Sequence, residues 1–293
     1  MVQRNIQSMK ITQCSASSID TYRSCSFKYY LNYILGLKQP SGKAATLGII
    51  VHQVFEWMAR LKMWHKTNVE PLWLFERAWD ENSHIELRKF TSRGLSADYK
   101  RCQESVNKVV SGSYNPYKLD NILDVEKWFE LEMPGTEWLT VENKQFKIRG
   151  FIDLIHKIDD NTIEIIDWKN GLSKDFVTFE DITFDNISKK IQPRIYHLAA
   201  SILFPQYRNI LITFYYINHN ILTFSLGDED IIDTLNILYG YFSTIKKDTL
   251  IRRNRSFKCR MCPFNKNDVC TTIWSDLNTH GEQFAREKYV KIN

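Results

Sequence analysis

No run of apolar residues in this 293-residue chain is long enough to cross a bilayer, which takes about 20 consecutive apolar residues in a helix. The opening stretch, Met1 to Lys10, has no apolar segment of the kind found in a secretory signal. A Walker-type phosphate loop is missing too: Gly42-Lys43 is followed by Ala44 and lacks the required spacing. There are no internal repeats and no low-complexity segments. These absences argue against a helical membrane span, a solenoid and an ATP motor carried by the chain itself. They predict an intracellular protein with no membrane partner. In that compartment disulfides rarely persist, so the six cysteines need another purpose.

Three of those cysteines crowd together as Cys259-Arg260-Met261-Cys262 and Cys270, behind a basic run of Arg252, Arg253 and Arg255. A C-x-x-C pair with a third cysteine nearby is a strong metal signal in an intracellular chain. Three thiolates leave one ligand to be found, for a tetrahedral Zn2+ or for a 4Fe-4S cluster. Cys25 or Cys14 would supply it from the far end of the chain. Cys25 is the better choice, because a helix running through Tyr22, Phe27, Tyr29 and Tyr30 would fix its direction. The bland alternative is a set of surface thiols beside a tail. The mild net charge of +5 suits a polyanionic partner without requiring one.

The stretch from Lys147 to Lys169 carries the chemistry. Two runs rich in Ile and Phe flank Asp159-Asp160-Asn161, which predicts a β-hairpin. A turn centred on Asp160 sets Asp153 opposite Asp167, with Cβ atoms about 5 Å apart. Like charges so placed destabilise a sheet unless a positive charge lies between them. A divalent cation would supply it, and Lys169 faces the same way as Asp167. Against this, strands often carry Asp and Lys on an ordinary solvent face.

Elsewhere the reading is mostly structural. Ser17-Ser18-Ile19-Asp20 predicts the N-terminus of a helix. From Thr46 to Trp64, Leu47, Ile50, Val51, Val54, Phe55, Met58 and Leu61 recur at helical spacing. Gly48 and His52 share one face of that helix, with the glycine leaving open space beside the imidazole; a lone helical histidine is nonetheless more often structural. Residues 53–125 read as a helical insertion with Cys102 as a core thiol, and Val125 to Leu131 begins a β-rich part. Pro134-Gly135 predicts a turn. A helix over Arg194 to Leu203 follows, with Gln192 and Tyr196 four apart and Pro193 placing Gln192 at the helix start. Ile210–Tyr216 and Ile221–Leu226 predict a second strand pair, and Glu229–Lys246 a closing helix.

Taken in order, Gly48-x-x-x-His52, Gly150-x-x-Asp153, Asp167-Trp168-Lys169 and Gln192-x-x-x-Tyr196 resemble the motif series of RecB-like PD-(D/E)XK nucleases. The segment around Cys25, with Cys259, Cys262 and Cys270, resembles the split cysteine set of the iron–sulfur members: Cas4, the AddB nuclease domain and the exonuclease V group. The resemblance covers about residues 14 to 270. It implies one α/β nuclease domain over 1–293, a mixed central β-sheet flanked by helices. Segments 14–35 and 252–275 would be joined by the cluster. It implies that His52, Asp153, Asp167 and the main-chain carbonyl of Trp168 bind Mg2+ or Mn2+, with Lys169, Gln192 and Tyr196 completing the catalytic set; Glu126 is a further candidate for an outer carboxylate. The implied activity is exonucleolytic cleavage of single-stranded DNA in recombination, repair or replication, with a helicase or recombination partner. A Cas4-type processor acting with integrase partners and a non-catalytic DNA-binding scaffold are the alternatives.

Overall fold

The computed structural model describes residues 13–37, 42–83, 92–133, 145–175, 177–248 and 251–290. The central hairpin folds as its pattern predicts. Strands β3 (Phe146–Lys157) and β4 (Thr162–Lys169) pair antiparallel, with Leu154 opposite Ile166 and Lys157 opposite Ile163. Strand β2 (Ile122–Met133) runs antiparallel along β3, from Ile122 opposite His156 to Met133 opposite Phe146. A two-residue strand, β1 (Gln13–Cys14), lies parallel to Lys147 and Ile148.

A strand has only two edges for pairing, and β2 occupies one of them along the length of β3. Strands β1 and β4 therefore share the other, β1 at Lys147–Ile148 and β4 from Leu154 onward. Between them, Arg149 to Asp153 have no ladder partner on that edge among the described residues.

Strand β5 (Asn209–Tyr216) lies parallel to β4, and β6 (Ile221–Ser225) returns antiparallel to β5. Parallel neighbours need a crossover, supplied here by α6 (Phe184–Ile187) and α7 (Ile191–Leu203). The sheet is thus mixed, and helices cover both faces. One face packs against α1 (Ala16–Ser24), α2 (Ser26–Tyr29), α7, α8 (Asp228–Lys247), α9 (Val269–His280) and α10 (Glu282–Tyr289), through a core that includes Ile19, Phe27, Ile195, Phe242 and Ile273. The other packs against α3 (Lys43–Met63), α4 (Pro71–Ser83) and α5 (Ser92–Ser111), through Leu47, Val54, Phe75, Val106 and Trp168. Each strand must therefore bury apolar residues on both sides, which is why β4 reads Ile-Glu-Ile-Ile without clean alternation. Its one acidic residue on the α5 side, Glu164, is satisfied: His156 lies 2.8 Å away, Tyr114 donates at 3.1 Å, and Thr213 donates as well. Among the described residues no helix is long and apolar enough to cross a membrane.

The N-terminal helix differs from its sequence prediction in two respects. Its cap is Ser15 instead of Ser17: Ser15 Oγ accepts from the Ser18 amide at 3.3 Å and Ser18 Oγ accepts from the Ser15 amide at 2.9 Å. The helix also breaks at Cys25, which is extended (φ −163, ψ 109) and ends α1 before α2 begins. Cys25 is therefore held at a corner of the backbone and not along a helix. The Pro134-Gly135 turn lies outside the described residues.

Candidate active site

The gap along β3 is where the acidic side chains gather. Asp153 stands one residue beyond Leu154, and Asp167 one residue beyond its partner Ile166, so the two face each other where the strands part. Asp167 is fully buried. Its Oδ2 accepts from Lys169 Nζ at 2.8 Å, Gln192 Nε2 at 3.0 Å and the Tyr196 hydroxyl at 3.2 Å. Gln192 also donates to Tyr196 Oη at 2.7 Å, and its Oε1 accepts from Lys169 at 3.2 Å. Three donors on one oxygen fix the carboxylate and lock Lys169 beside it.

Helix α7 makes this possible. Gln192 is its second residue and Tyr196 lies one turn on, so both side chains reach the same point on β4. Pro193 costs nothing there, because amides in a first helical turn have no intrahelical acceptor.

Helix α3 brings His52 to the same place, with Nδ1 3.1 Å from Asp153 Oδ2. A Cβ at Gly48 would meet nothing within 4 Å, so the space beside the imidazole is open as the spacing predicts. Gly150 has a different purpose: its Cβ would lie 2.8 Å from the Phe129 ring, so it admits a core aromatic and not a ligand. The Trp168 indole is buried against Phe55, 5.3 Å between ring centroids, while its main-chain amide donates to Asp153.

The electrostatics of this cluster are unequal. Burial raises the Asp153 pKa, but His52, Lys169 and the Trp168 amide outweigh it and hold the carboxyl below its usual range. Asp167 is pushed up to about 6, chiefly by burial and then by the negative charge of Asp153. Glu126 is pushed up to about 7 by burial, Asp153 and Glu56. It lies between the Val125–Leu154 and Lys127–Ile152 pairs, level with Asp153, and has φ +52. Glu56, one turn after His52 on α3, is the acidic neighbour that helical spacing alone would have revealed. Its carboxylate pairs with Arg60 at 2.8 Å.

The carboxylates of Asp153, Asp167 and Glu126 gather around Lys169 and His52, and hard oxygens suit Mg2+ or Mn2+. Asp153 Oδ2 and Asp167 Oδ1 are both buried without a well-directed hydrogen bond, although His52 and Lys169 lie near them. His52 Nδ1 and Asp153 Oδ2 face each other at 3.1 Å instead of converging on one point. Accordingly, no group of three His, Cys, Asp or Glu side chains among the described residues has metal-ligand geometry. The donor set fits a divalent ion in its chemistry, and the oxygens without a directed bond are the ones available to it.

The cysteines meet at a second place. Cys25, Cys259, Cys262 and Cys270 line one cavity of about 370 Å3, with Phe27, Phe264 and Arg253. Its two chain segments are stitched together: the Phe27 amide donates to Arg252 O at 3.1 Å, the Arg252 amide to Ser26 Oγ at 3.0 Å, and Asn254 Nδ2 to Ser24 O at 2.9 Å. The Cys25 and Cys259 thiols turn toward the carbonyls of Arg252 and Asn254, at 3.8 and 3.7 Å. This four-thiol lining fits a metal or cluster in kind. Cys14 does not line the cavity; it is buried on β1 with its pKa pushed up to about 11. Cys102 is a core thiol, fully buried beneath Leu47 O.

A sequence profile of the PD-(D/E)XK nuclease superfamily matches residues 13–271. An ATP-dependent helicase/deoxyribonuclease chain of Streptococcus agalactiae is 25% identical over 194 residues, 57% of this chain and 16% of that protein. Its counterpart in Streptococcus uberis is 24% identical over 209 residues, 62% of this chain and 17% of that protein. The chain thus spans only about a sixth of these relatives. A crystal structure of a candidate exonuclease from Eubacterium rectale superposes with a TM-score of 0.53 at 14% identity, covering 86% of this chain and 88% of the other. That likeness concerns the fold.

Proposed function

The chain belongs to the PD-(D/E)XK nuclease superfamily, and from that premise we propose that it is a Mg2+- or Mn2+-dependent DNA nuclease, cutting single strands exonucleolytically in recombination, repair or replication. The observation that carries this reading is the Asp167 carboxylate. It is wholly buried, held on one oxygen by Lys169, Gln192 and Tyr196, and has its other oxygen without a directed hydrogen bond beside Asp153. A binding-only protein has no use for so costly a group.

His52, Asp153, Asp167 and the Trp168 carbonyl would hold the ion, with Glu126 outside them. When bound, such an ion supplies charge against the phosphate and acidifies water. Lys169, kept in place by Asp167 and Gln192, orients the attacking water and offsets charge on the phosphate in the transition state. Gln192 and Tyr196 act through Lys169 and Asp167 by holding them.

The cysteine quartet would carry a 4Fe-4S cluster, or Zn2+, joining segments 14–35 and 252–275 of one domain. The helical insertion drawn over 53–125 would end ahead of Ile122, where β2 of the sheet begins. A helicase partner fits the streptococcal relatives, whose names describe parts of a helicase/deoxyribonuclease.

The test is digestion of end-labelled single-stranded DNA by protein purified without oxygen, in Mn2+, Mg2+ and EDTA, with Asp167→Ala alongside. Metal-dependent shortening that the variant lacks is expected. Equal digestion by the variant would remove Asp167 from the chemistry, and DNA binding with no cleavage under any condition would overturn the nuclease reading.

A further inference from the structure

Beside the carboxylates runs a groove of about 810 Å3, lined by Trp128, Arg149, Phe151, Lys169, Gln192 and Tyr196, with the first turn of α1 as its far wall. Resting on the nuclease reading above, we propose that Trp128 and Phe151 form a stacking platform for the bases of an unpaired DNA strand whose phosphate enters the carboxylate site.

The two rings are a matched pair on adjacent strands. Trp128 and Phe151 stand directly opposite in the β2–β3 register, their centroids 4.9 Å apart and their planes inclined by 56°. They remain 45% and 50% exposed, whereas the next residue on β2, Phe129, is buried in the core. Phe151 precedes Asp153 by two residues, roughly 7 Å along an extended strand. That is about the reach from a phosphate to the base of a neighbouring nucleotide.

The chemistry of the lining selects the occupant. Each aromatic ring presents a π-face, and every base can stack on it regardless of sequence. Bases inside a duplex have both faces covered by their neighbours, so only an unpaired strand or a frayed end offers a free face. The cations suit a phosphodiester chain. Lys169 is on the groove wall, and Arg149 forms no ion pair among the described residues. Glu130, opposite Arg149 in the register, is engaged by Lys147 at 2.5 Å, so it does not neutralise Arg149. Asp20, the acidic residue of the lining, is paired with Arg23 at 3.1 Å. Lys169 is held by Asp167, so the groove presents Arg149 and two rings beside the site where the strand would be cut.

The experiment uses the full chain in EDTA, so that binding is read without cleavage. The probe is a short single-stranded DNA carrying 2-aminopurine, with its annealed blunt duplex as control. Binding of the single strand is expected to quench the probe base by stacking; the duplex should quench little. The double variant Trp128→Ala with Phe151→Ala should lose the quenching and bind the single strand about ten- to a hundredfold more weakly. The pair Trp128→Phe with Phe151→Tyr keeps two π-faces and should restore both signals; failure of that rescue would overturn the proposal. Undiminished binding and quenching by the alanine pair would overturn the platform while leaving the nuclease reading intact, provided the wild type still cuts. A wild type that binds no DNA would overturn both.

Discussion

Asp153 and Asp167 face each other one step beyond Leu154 and Ile166, the last pair that joins β3 to β4. Up to that pair the two strands are a sheet; beyond it they diverge, and β1 takes the place on β3 that β4 has left. The same divergence opens room for a charged cluster and turns both carboxylates into it. Most of what can be tested about the protein depends on this junction.

Divalent ions should stabilise the fold through these two residues. An ion that binds only the native state at about a hundred times its dissociation constant adds about 2.7 kcal/mol. Thermal melts of the wild type with Mn2+ should shift upward, and those of Asp167→Asn should not. Cleavage by that variant should fall by roughly a thousandfold or more, since charge stabilisation at the phosphate goes with the ion. An unchanged Mn2+ shift in the variant would place the ion elsewhere.

Lys169 and Tyr196 should separate chemistry from positioning. Lys169→Met is expected to keep the Mn2+ shift and lose turnover. Tyr196→Phe removes one of three donors to Asp167 Oδ2, a change worth about 1 kcal/mol, and should reduce the rate about tenfold or less. Gel assays at saturating DNA would read both, and normal turnover in Lys169→Met would exclude the lysine from the mechanism.

Gly150→Ala should destabilise the protein by about 1–3 kcal/mol, because the new Cβ meets the buried Phe129 ring. Combining it with Phe129→Val should cost less than the two changes summed. Urea unfolding of the four proteins in the cycle measures the coupling; strict additivity would show that the ring moves aside.

The turn after β4 should make stability depend on acid. Asp175 is buried, which opposes its ionisation, but the amides of Thr178 and Val177, at 2.6 and 2.8 Å, and Lys190 at 3.0 Å prevail and hold its pKa down at about 2. A carboxyl depressed in the folded state contributes above its unfolded value and loses that contribution as pH falls through the folded one. Wild type should therefore exceed Asp175→Asn by about 1–2 kcal/mol near neutral pH, and the difference should vanish as the pH drops from about 4 to about 2. A difference constant across that range would show that packing, not charge, is lost.

Cys262→Ala should lower the melting temperature and release bound metal, since the cavity it lines joins chain segments more than 220 residues apart. Iron, zinc and sulfide analysis of both proteins reads the outcome. No bound metal in wild type, together with an unchanged melt in the variant, would make the thiols incidental.

Much of this was legible in the sequence because it depends on short-range patterns. The hairpin and its register follow from apolar strands around an acidic turn, and Gln192 and Tyr196 meet because one helical turn separates them. His52 is legible for the same reason, and Glu56 would have been. What a linear pattern does not contain is which strands share an edge. The gap between Ile148 and Leu154 exists because β1, from a segment distant in sequence, ends its pairing at Cys14 and β4 begins its own only at Leu154. The left-handed backbone at Glu126, the break at Cys25 and the outward-facing Trp128–Phe151 pair likewise depend on neighbours distant in sequence.

An uncovered strand edge is usually a hazard, since its free amides and carbonyls invite another chain to add itself as a strand. Here Arg149, Gly150 and Phe151 of the open segment line a groove whose other walls come from α1 and α7. The walls turn an edge of that kind inward, so that on the nuclease reading proposed above a single DNA strand lying in the groove would run against main chain beside the carboxylate cluster.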